Sequence, residues 1–360
     1  MQANRSILEG RITSRGLTRG EIPIYLEFAA RAWGGHSPQA RTSALNWLYD
    51  ENPYTAGMQQ DLLVLWDNER IIGAHHRMRV PWQVNRERRI VVALHDLYVL
   101  KGYRERAGGQ GGLPPGLQIM LAALEGDNHV GIFGMTDIAD QIYNKMRVPR
   151  VQLFWLYNIL NAVKASAQKL GSVLGRSARY KSANNNAATQ ELGYVVTGIE
   201  SPSADEIAEA LTVTPRARTY PDWDVRSYSW RFFHPLGPRN VLLLARRSGE
   251  VTGRAVFSLG LKNGLLLARL VEIVSQENDC LRALAAGFEG LARQMNAAAG
   301  FAVTSSPEVE LALKGRGWKP RPKQPSSRWF TPPGLERPAD YWISGGAWDY
   351  GWDQPLEKRP

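Results

Sequence analysis

Apolar residues recur along this chain in two patterns. "RIVVALHDLYVL" (Arg89 to Leu100) is dense in Val, Leu and Tyr and predicts a buried strand. "PPGLQIMLAALE" (Pro114 to Glu125) opens on prolines, which a first helical turn tolerates, and continues with good helix formers. Between them lies the glycine-rich "YRERAGGQGGLPPG" (Tyr103 to Gly116), which suits neither a helix nor a central strand. Strand, glycine loop and helix in that order bring backbone N–H groups to a helix N-terminus, where an anion binds. Further on, "AVKASAQKLGSVLGRSARYKSANNNAATQ" (Ala162 to Gln190) predicts a helix and then a polar connector. "YVVTGIESPSADEIAEAL" (Tyr194 to Leu211) restarts as strand, turn and helix, with Ser203 as N-cap.

The same order of elements is present twice. "ALNWLYDENP" (Ala44 to Pro53) aligns with "SYSWRFFHPLGP" (Ser227 to Pro238), setting Trp47 against Trp230. "NERIIGAHHRMRV" (Asn68 to Val80) aligns with "SGEVTGRAVFSLG" (Ser248 to Gly260), with Gly73 or Gly253 inside the strand. "VVALHDLYVL" aligns with "LLLARLVEIVS" (Leu265 to Ser275), setting Asp96 against Glu272, and "YNKMRV" (Tyr143 to Val148) aligns with "LKGRGW". The separation shrinks from 183 residues at Trp47/Trp230 to 170 at Tyr143/Leu313, as small deletions in the second copy would produce. An internal duplication of this kind predicts two similar units in tandem. The expected division is a first domain over 1–160, a helix and linker over 161–190, a second domain over 191–346 and a tail over 347–360.

Composition narrows the class. With 360 residues, 44% of them hydrophobic and 22% charged, the chain has the make-up of a globular protein with room for two cores. No run of 18 apolar residues predicts a membrane span, and the first residues lack the apolar stretch of a signal peptide. Cys280 is the one cysteine, which excludes internal disulfides and cysteine-built metal sites. A cytoplasmic location is expected. The net charge of +10 favours anionic partners, but the basic residues are scattered rather than gathered into a nucleic-acid-binding arm.

The stretch "LYVLKGYRERAGG" resembles the signature of the GNAT acyltransferase superfamily, in which a strand of the form L-x-V-x-P-x-Y-R runs into R-x-x-G-x-G/A and a helix. Leu97, Val99, Tyr103 and Arg104 stand on matching positions, and Lys101 replaces the usual proline. In the register starting at Arg104, Ala107 stands where the first glycine belongs and Gly109 fits; starting at Arg106, "RAGGQG" fits the loop pattern outright after a two-residue insertion, and both registers stay open. The resemblance implies an α/β (α+β) fold of two tandem units, each a mostly antiparallel twisted sheet flanked by helices. It also implies that acetyl-CoA, or another acyl-CoA, is the donor. Its pyrophosphate would be held by Arg104, Arg106 and the amides of Gly108, Gly109, Gly111 and Gly112, with backbone amides of the splayed strand from Leu97 to Val99 serving the oxyanion. Such a loop also makes physical sense, since pyrophosphate needs convergent N–H donors and charge-assisted bonds.

A second matching segment, "TDIADQIYNKMRV" (Thr136 to Val148), resembles the family's N-x-x-A-x-x-x-Y-x-K-x-G-F; Ala139, Tyr143 and Lys145 match, while Thr136, Arg147 and Val148 replace Asn, Gly and Phe. The resemblance implies that Tyr143 protonates the leaving thiolate. The second copy has Leu313 there and enters its helix through "QENDCLRALAAGF" with no glycine loop, so it is expected to be non-catalytic. Acyl transfer to an amine also calls for a base. His95 and Asp96 lie on alternating faces of one strand, so only one of them can face the acceptor, with Asp96 the first choice; a water chain with no dedicated base is the alternative. Trp47, Asn52 and Trp230 sit where the family builds its acceptor site and are the candidate substrate-binding residues. His75 and His76 are adjacent on a strand and point to opposite faces, so no shared metal is expected.

The reading is thus an acyltransferase moving an acyl group from coenzyme A to a small amine, as a monomer or homodimer without metal. Two alternatives stay open: a Fem-type transferase using aminoacyl-tRNA, and a binding protein that keeps the fold without turnover.

Overall fold

The computed structural model describes residues 12–34, 37–104, 113–126, 128–173, 178, 188–262 and 264–347. In chain order the first part comprises β1 (Thr13–Gly16), α1 (Ile22–Trp33), α2 (Pro38–Tyr49), α3 (Met58–Asp61), β2 (Leu62–Asp67), β3 (Arg70–Val84) and β4 (Glu87–Val99). It continues with α4 (Pro115–Leu124), β5 (His129–Met135), α5 (Asp137–Lys145), β6 (Phe154–Ile159) and α6 (Ala162–Val173). The second part opens with β7 (Ala188–Glu191), β8 (Tyr194–Ile199), α7 (Ala204–Leu211), β9 (Tyr220–Pro221) and α8 (Val225–Tyr228). There follow β10 (Asn240–Arg247), β11 (Glu250–Lys262), β12 (Leu265–Ser275), α9 (Asn278–Gln294), β13 (Ala299–Thr304), α10 (Pro307–Lys314), β14 (Lys319–Pro320) and β15 (Ser326–Phe330). The expected strand and helix around the glycine loop are β4 and α4, and Ser203 caps α7 by accepting from the Glu206 N–H. Among the described residues no helix is long and apolar enough to cross a membrane.

Two mixed sheets form, and the duplication is visible in both. One runs β1–β2–β3–β4–β5–β15, with β9 also on β3; the other runs β14–β6–β13–β12–β11–β10–β8–β7. Within them β2–β3–β4–β5 matches β10–β11–β12–β13. Each four-strand set is antiparallel except for its last pair, β4 with β5 and β12 with β13. Even the irregularities repeat: β3 carries an extra residue at Ile72, opposite Leu65/Trp66, and β11 one at Thr252, opposite Ala245/Arg246, while β4 and β12 each carry one extra residue near Asp96 and Val271. Helix α5 is capped by Thr136 and α10 by Ser306 in the same way.

Sheet membership does not follow the expected cut between residues 160 and 191. β6, from the first stretch of chain, pairs with β13 in the second sheet, and β15, from the second stretch, pairs with β5 in the first. Each half lends the other a strand, and this covers an edge that an exposed sheet would otherwise present to solvent. The joint is sealed at its centre by Trp47 and Trp230. Their rings stack at 5.2 Å. Trp47 Nε1 donates to the Trp230 carbonyl at 2.9 Å and Trp230 Nε1 to the Trp47 carbonyl at 2.7 Å. Such a reciprocal pair is what a two-fold contact between equivalent units produces.

Candidate functional site

The site forms where β4 and β5 separate. They pair from Val91↔His129 to Leu94↔Ile132, after which β4 runs on to Val99. Among the described residues no strand pairs with β4 on that side beyond Leu94. Its other edge stays on β3, and the Leu100 N–H bonds the Ile72 carbonyl at 2.8 Å. Alternation along the strand then turns the Val99 N–H and carbonyl toward the opened edge. The Val99 carbonyl there accepts from Arg104 Nε at 2.8 Å, and the Arg104 guanidinium lies over the Tyr98 ring at 5.1 Å.

The extra residue of the β4 bulge re-aims one carboxylate. His76 faces His95 and Ala74 faces Tyr98, so Asp96 and Leu97 together oppose His75. Asp96 takes φ of 50°, a left-handed conformation in which Asp is among the tolerated residues. Its side chain is 51% exposed, and Oδ2 lies 3.5 Å from His95 Nδ1. The surrounding protein has the largest effect on this carboxyl, pushing its pKa up, yet the hydrogen bond and charge from His95 and the charges of His76 and Arg41 hold it low, at about 2. Asp96 stands on the stretch of β4 beyond Leu94, beside the cleft that opens where β5 parts from it.

Behind Asp96 is a buried polar stack. The His95 and His76 rings lie 5.1 Å apart. His76 Nε2 meets the Tyr25 hydroxyl and Nδ1 the Tyr49 hydroxyl, each at 2.7 Å. A neutral imidazole fits this arrangement, donating to one tyrosine and accepting from the other. Burial, with the charge of His95, pulls His76 down to about 3. Half-buried Trp33 and Tyr98, 5.8 Å apart, stand beside the stack, and Arg41 lies over Trp33 at 5.8 Å. Tyr25 and Tyr49 are absent from the sequence-based candidates, and His76 enters them only as half of a metal pair that is set aside. Tyr49 lies in the segment singled out for acceptor binding, two residues from Trp47. At 100° per residue those two occupy opposite sides of α2, a signal the helical period could have supplied.

The other candidates divide clearly. Trp47 and Trp230 are spent on each other, 1% and 3% exposed, and belong to the joint between the halves instead of an acceptor pocket. Asn52 is also buried: Nδ2 donates to the Arg79 carbonyl and Oδ1 accepts from the Tyr54 N–H, so it organises a turn. Leu97 and Val99 lie on the opened edge. Arg106, Gly108, Gly109, Gly111 and Gly112 lie outside the described residues. Tyr143 is buried in one apolar cluster with Leu94, Val99 and Ile132. Its hydroxyl has no hydrogen-bond partner among the described residues, and burial raises its pKa well above the ordinary value. Arg147, where the motif has glycine, adopts φ of 58°, and its counterpart Gly317 has φ of 84°. The glycine of the motif therefore answers a real left-handed position that arginine occupies here.

The second half closes the equivalent cleft. Glu272, at the place of Asp96, is buried and accepts from Trp223 Nε1 at 3.0 Å, Tyr228 Oη at 2.7 Å and Arg254 Nε at 3.0 Å. β12 and β13 also separate, after Leu270↔Ala302, but the gap is occupied. Ile343 exchanges bonds with Ser305, Ser344 bridges Thr304, and Trp342 Nε1 reaches the Ile273 carbonyl at 3.0 Å. Leu313 replaces Tyr143.

No family model matches the sequence, and no curated protein does. Solved structures do match. Saccharomyces cerevisiae N-myristoyltransferase with bound myristoyl-CoA aligns with a TM-score of 0.58 at 12% identity, over 91% of this chain and 80% of that one. A GCN5-related N-acetyltransferase from Anabaena variabilis gives 0.54 at 9% identity, over 89% and 72%. A probable N-acyltransferase from Enterococcus faecalis gives 0.52 at 11% identity, over 81% and 65%. Together with the two matched sheets and their separated strands, these likenesses show that the chain carries the GNAT fold twice, in tandem.

Proposed function

We propose that the first half transfers an acyl group from a coenzyme A thioester to the amine of a small acceptor, and that the second half serves as its structural complement. One contrast carries the reading: at matched positions Asp96 is open to solvent while Glu272 is buried and fully bonded. A fold that needed a carboxylate there for stability alone would have satisfied both.

In this reading the thioester carbonyl lies against the Val99 N–H, which is aimed at the position where the oxyanion develops. Asp96, ionised across the working pH range, attracts the acceptor's ammonium, which gives one proton to solvent to become the neutral amine. After the neutral amine attacks, the N–H of the adduct becomes far more acidic, and its proton leaves through the Asp96–His95 pair. The C–S bond then breaks, and sulfur takes the Tyr143 proton. The phenolate recovers a proton from solvent, equal to the one the amine released. The buried phenol is protonated at working pH and so has the proton to give, but burial makes it a weaker acid than an ordinary tyrosine, so the transfer accompanies C–S cleavage rather than preceding it. The products are the amide and coenzyme A.

Acetyl-CoA is the donor we propose. Myristoyl-CoA is the second to test, because the yeast neighbour is described with it. Calorimetric titration with each donor, using wild type and Arg104→Ala, tests the reading. Micromolar binding weakened by the substitution supports it, and no binding of either donor refutes it.

A further inference from the structure

β15 does more than close the first sheet. Arg328, at its centre, is 2% exposed and buried against α5. Its Nε donates to Asp140 Oδ1 at 2.7 Å, Nη2 to Asn144 Oδ1 at 3.2 Å, and Nη1 to the Val148 carbonyl. These three acceptors bracket Tyr143. Asp140 is almost one turn before it, Asn144 is the next residue, and the Val148 N–H bonds the Tyr143 carbonyl at 3.0 Å. Arg150 Nη2 holds the other Asp140 oxygen at 2.6 Å, so the carboxylate is fixed from two sides.

The counterpart helix shows that the fold does not require this clamp. Arg328 pairs with Ile132 on β5, and at the matching register of the second sheet Leu156 pairs with Ala302. Leu156 has no polar group to offer α10. At the positions of Asp140 and Asn144 stand Glu310 and Lys314, which pair with each other at 2.6 Å on their own helix. The same helix–strand packing is thus held without a cross-half arginine where residue 313 is leucine, and with one where residue 143 is tyrosine.

We infer that Arg328, contributed by the second half of the chain, is a positioning residue that sets the Tyr143 hydroxyl for its proton transfer to sulfur. The inference rests on the acyltransferase reading of Tyr143. A planar guanidinium suits the task, since its fixed fork engages acceptors in different directions at once. A nine-residue helix held only by apolar contacts can rock by a fraction of an ångström, and small displacements of a reacting group are costly in rate.

The test uses the full chain with acetyl-CoA and hydroxylamine as a minimal acceptor, following thiol release, with donor affinity measured by calorimetry. Arg328→Met is expected to lower kcat by about tenfold or more while donor Kd changes by less than about threefold, a general acid being worth roughly a hundredfold or more in total. In a Tyr143→Phe background it should cost less than about threefold further, because the two would act through one proton transfer. Asn144→Ala, which removes one arm of the clamp, should lower kcat about threefold and provides the readout if Arg328→Met does not fold. Lys314→Met, on the counterpart helix, should leave kcat unchanged. Defects that simply multiply in the double variant would make Arg328 purely structural and overturn the inference, as would wild-type kcat in both Arg328→Met and Asn144→Ala. Wild-type kcat in Tyr143→Phe would remove the acid reading and this inference with it, while leaving donor binding intact. No thiol release by wild type would end both.

Discussion

Two buried histidines should make the fold sensitive to mild acid. His75 and His76 are 2% and 4% exposed. Burial, reinforced by the charge of His95, lowers each from the ordinary 6.5 to about 3. Their folded pKa values lie below the unfolded one, so between pH 6.5 and 3 the unfolded chain binds more protons. The stability they permit is complete above 6.5 and is lost as pH falls toward 3. For a group that stays neutral in the fold, the loss between pH 7 and pH 5 depends only on the unfolded pKa and comes to about 2 kcal/mol. The pair therefore costs about 4 kcal/mol over that interval. His129 is also lowered, by burial first and then by the charge of Arg89, and adds in the same direction. Asp96 and Glu21, each at about 2, remain ionised throughout and do not mask the effect. Urea unfolding at the two pH values, followed by tryptophan fluorescence, measures it directly. His76→Gln keeps a neutral partner for the two tyrosines and should remove about half of the difference. Stabilities that agree within about 1 kcal/mol at pH 7 and pH 5 would refute the reasoning, because the histidines would then be reached by protons in the fold.

Trp230→Ala removes a buried stacked ring and its hydrogen bond and should cost about 3–5 kcal/mol in urea unfolding; Trp47→Ala should cost as much, because the contact is reciprocal. Asp96→Asn keeps a residue type that tolerates the left-handed backbone but removes the charge, so kcat for thiol release should fall about tenfold or more with donor Kd unchanged. Arg147→Gly relieves a left-handed arginine and should stabilise the protein by about 1 kcal/mol on denaturant titration. Arg254→Met strands Glu272 in the core and should cost about 3–5 kcal/mol, while thiol release per folded molecule stays at the wild-type value.

Much of this molecule is local and therefore readable along the chain. The apolar run of β4, the proline-led start of α4 and the Ser203 cap each answer to neighbours within a few residues. The duplication was also legible, since pairing Trp47 with Trp230 compares sequence with sequence and needs no contact map. The glycine expected at Arg147 marked a left-handed turn that the backbone indeed makes.

What the tertiary structure alone decided is everything that depends on which distant segments meet. Strands β6 and β15 resemble ordinary closing strands, and nothing within a few residues of either says that each completes the other half's sheet. The exchange is what brings Arg328 to α5. Trp47 and Trp230 carry the chemistry of pocket walls as well as of a core, and only their mutual burial tells which. Asp96 and His95 are neighbours on one strand, and simple alternation sets them on opposite faces. The extra residue of the bulge turned Asp96 into the cleft with His95 behind it. A bulge is set by how one strand registers on its partner, and register is a property of the pair.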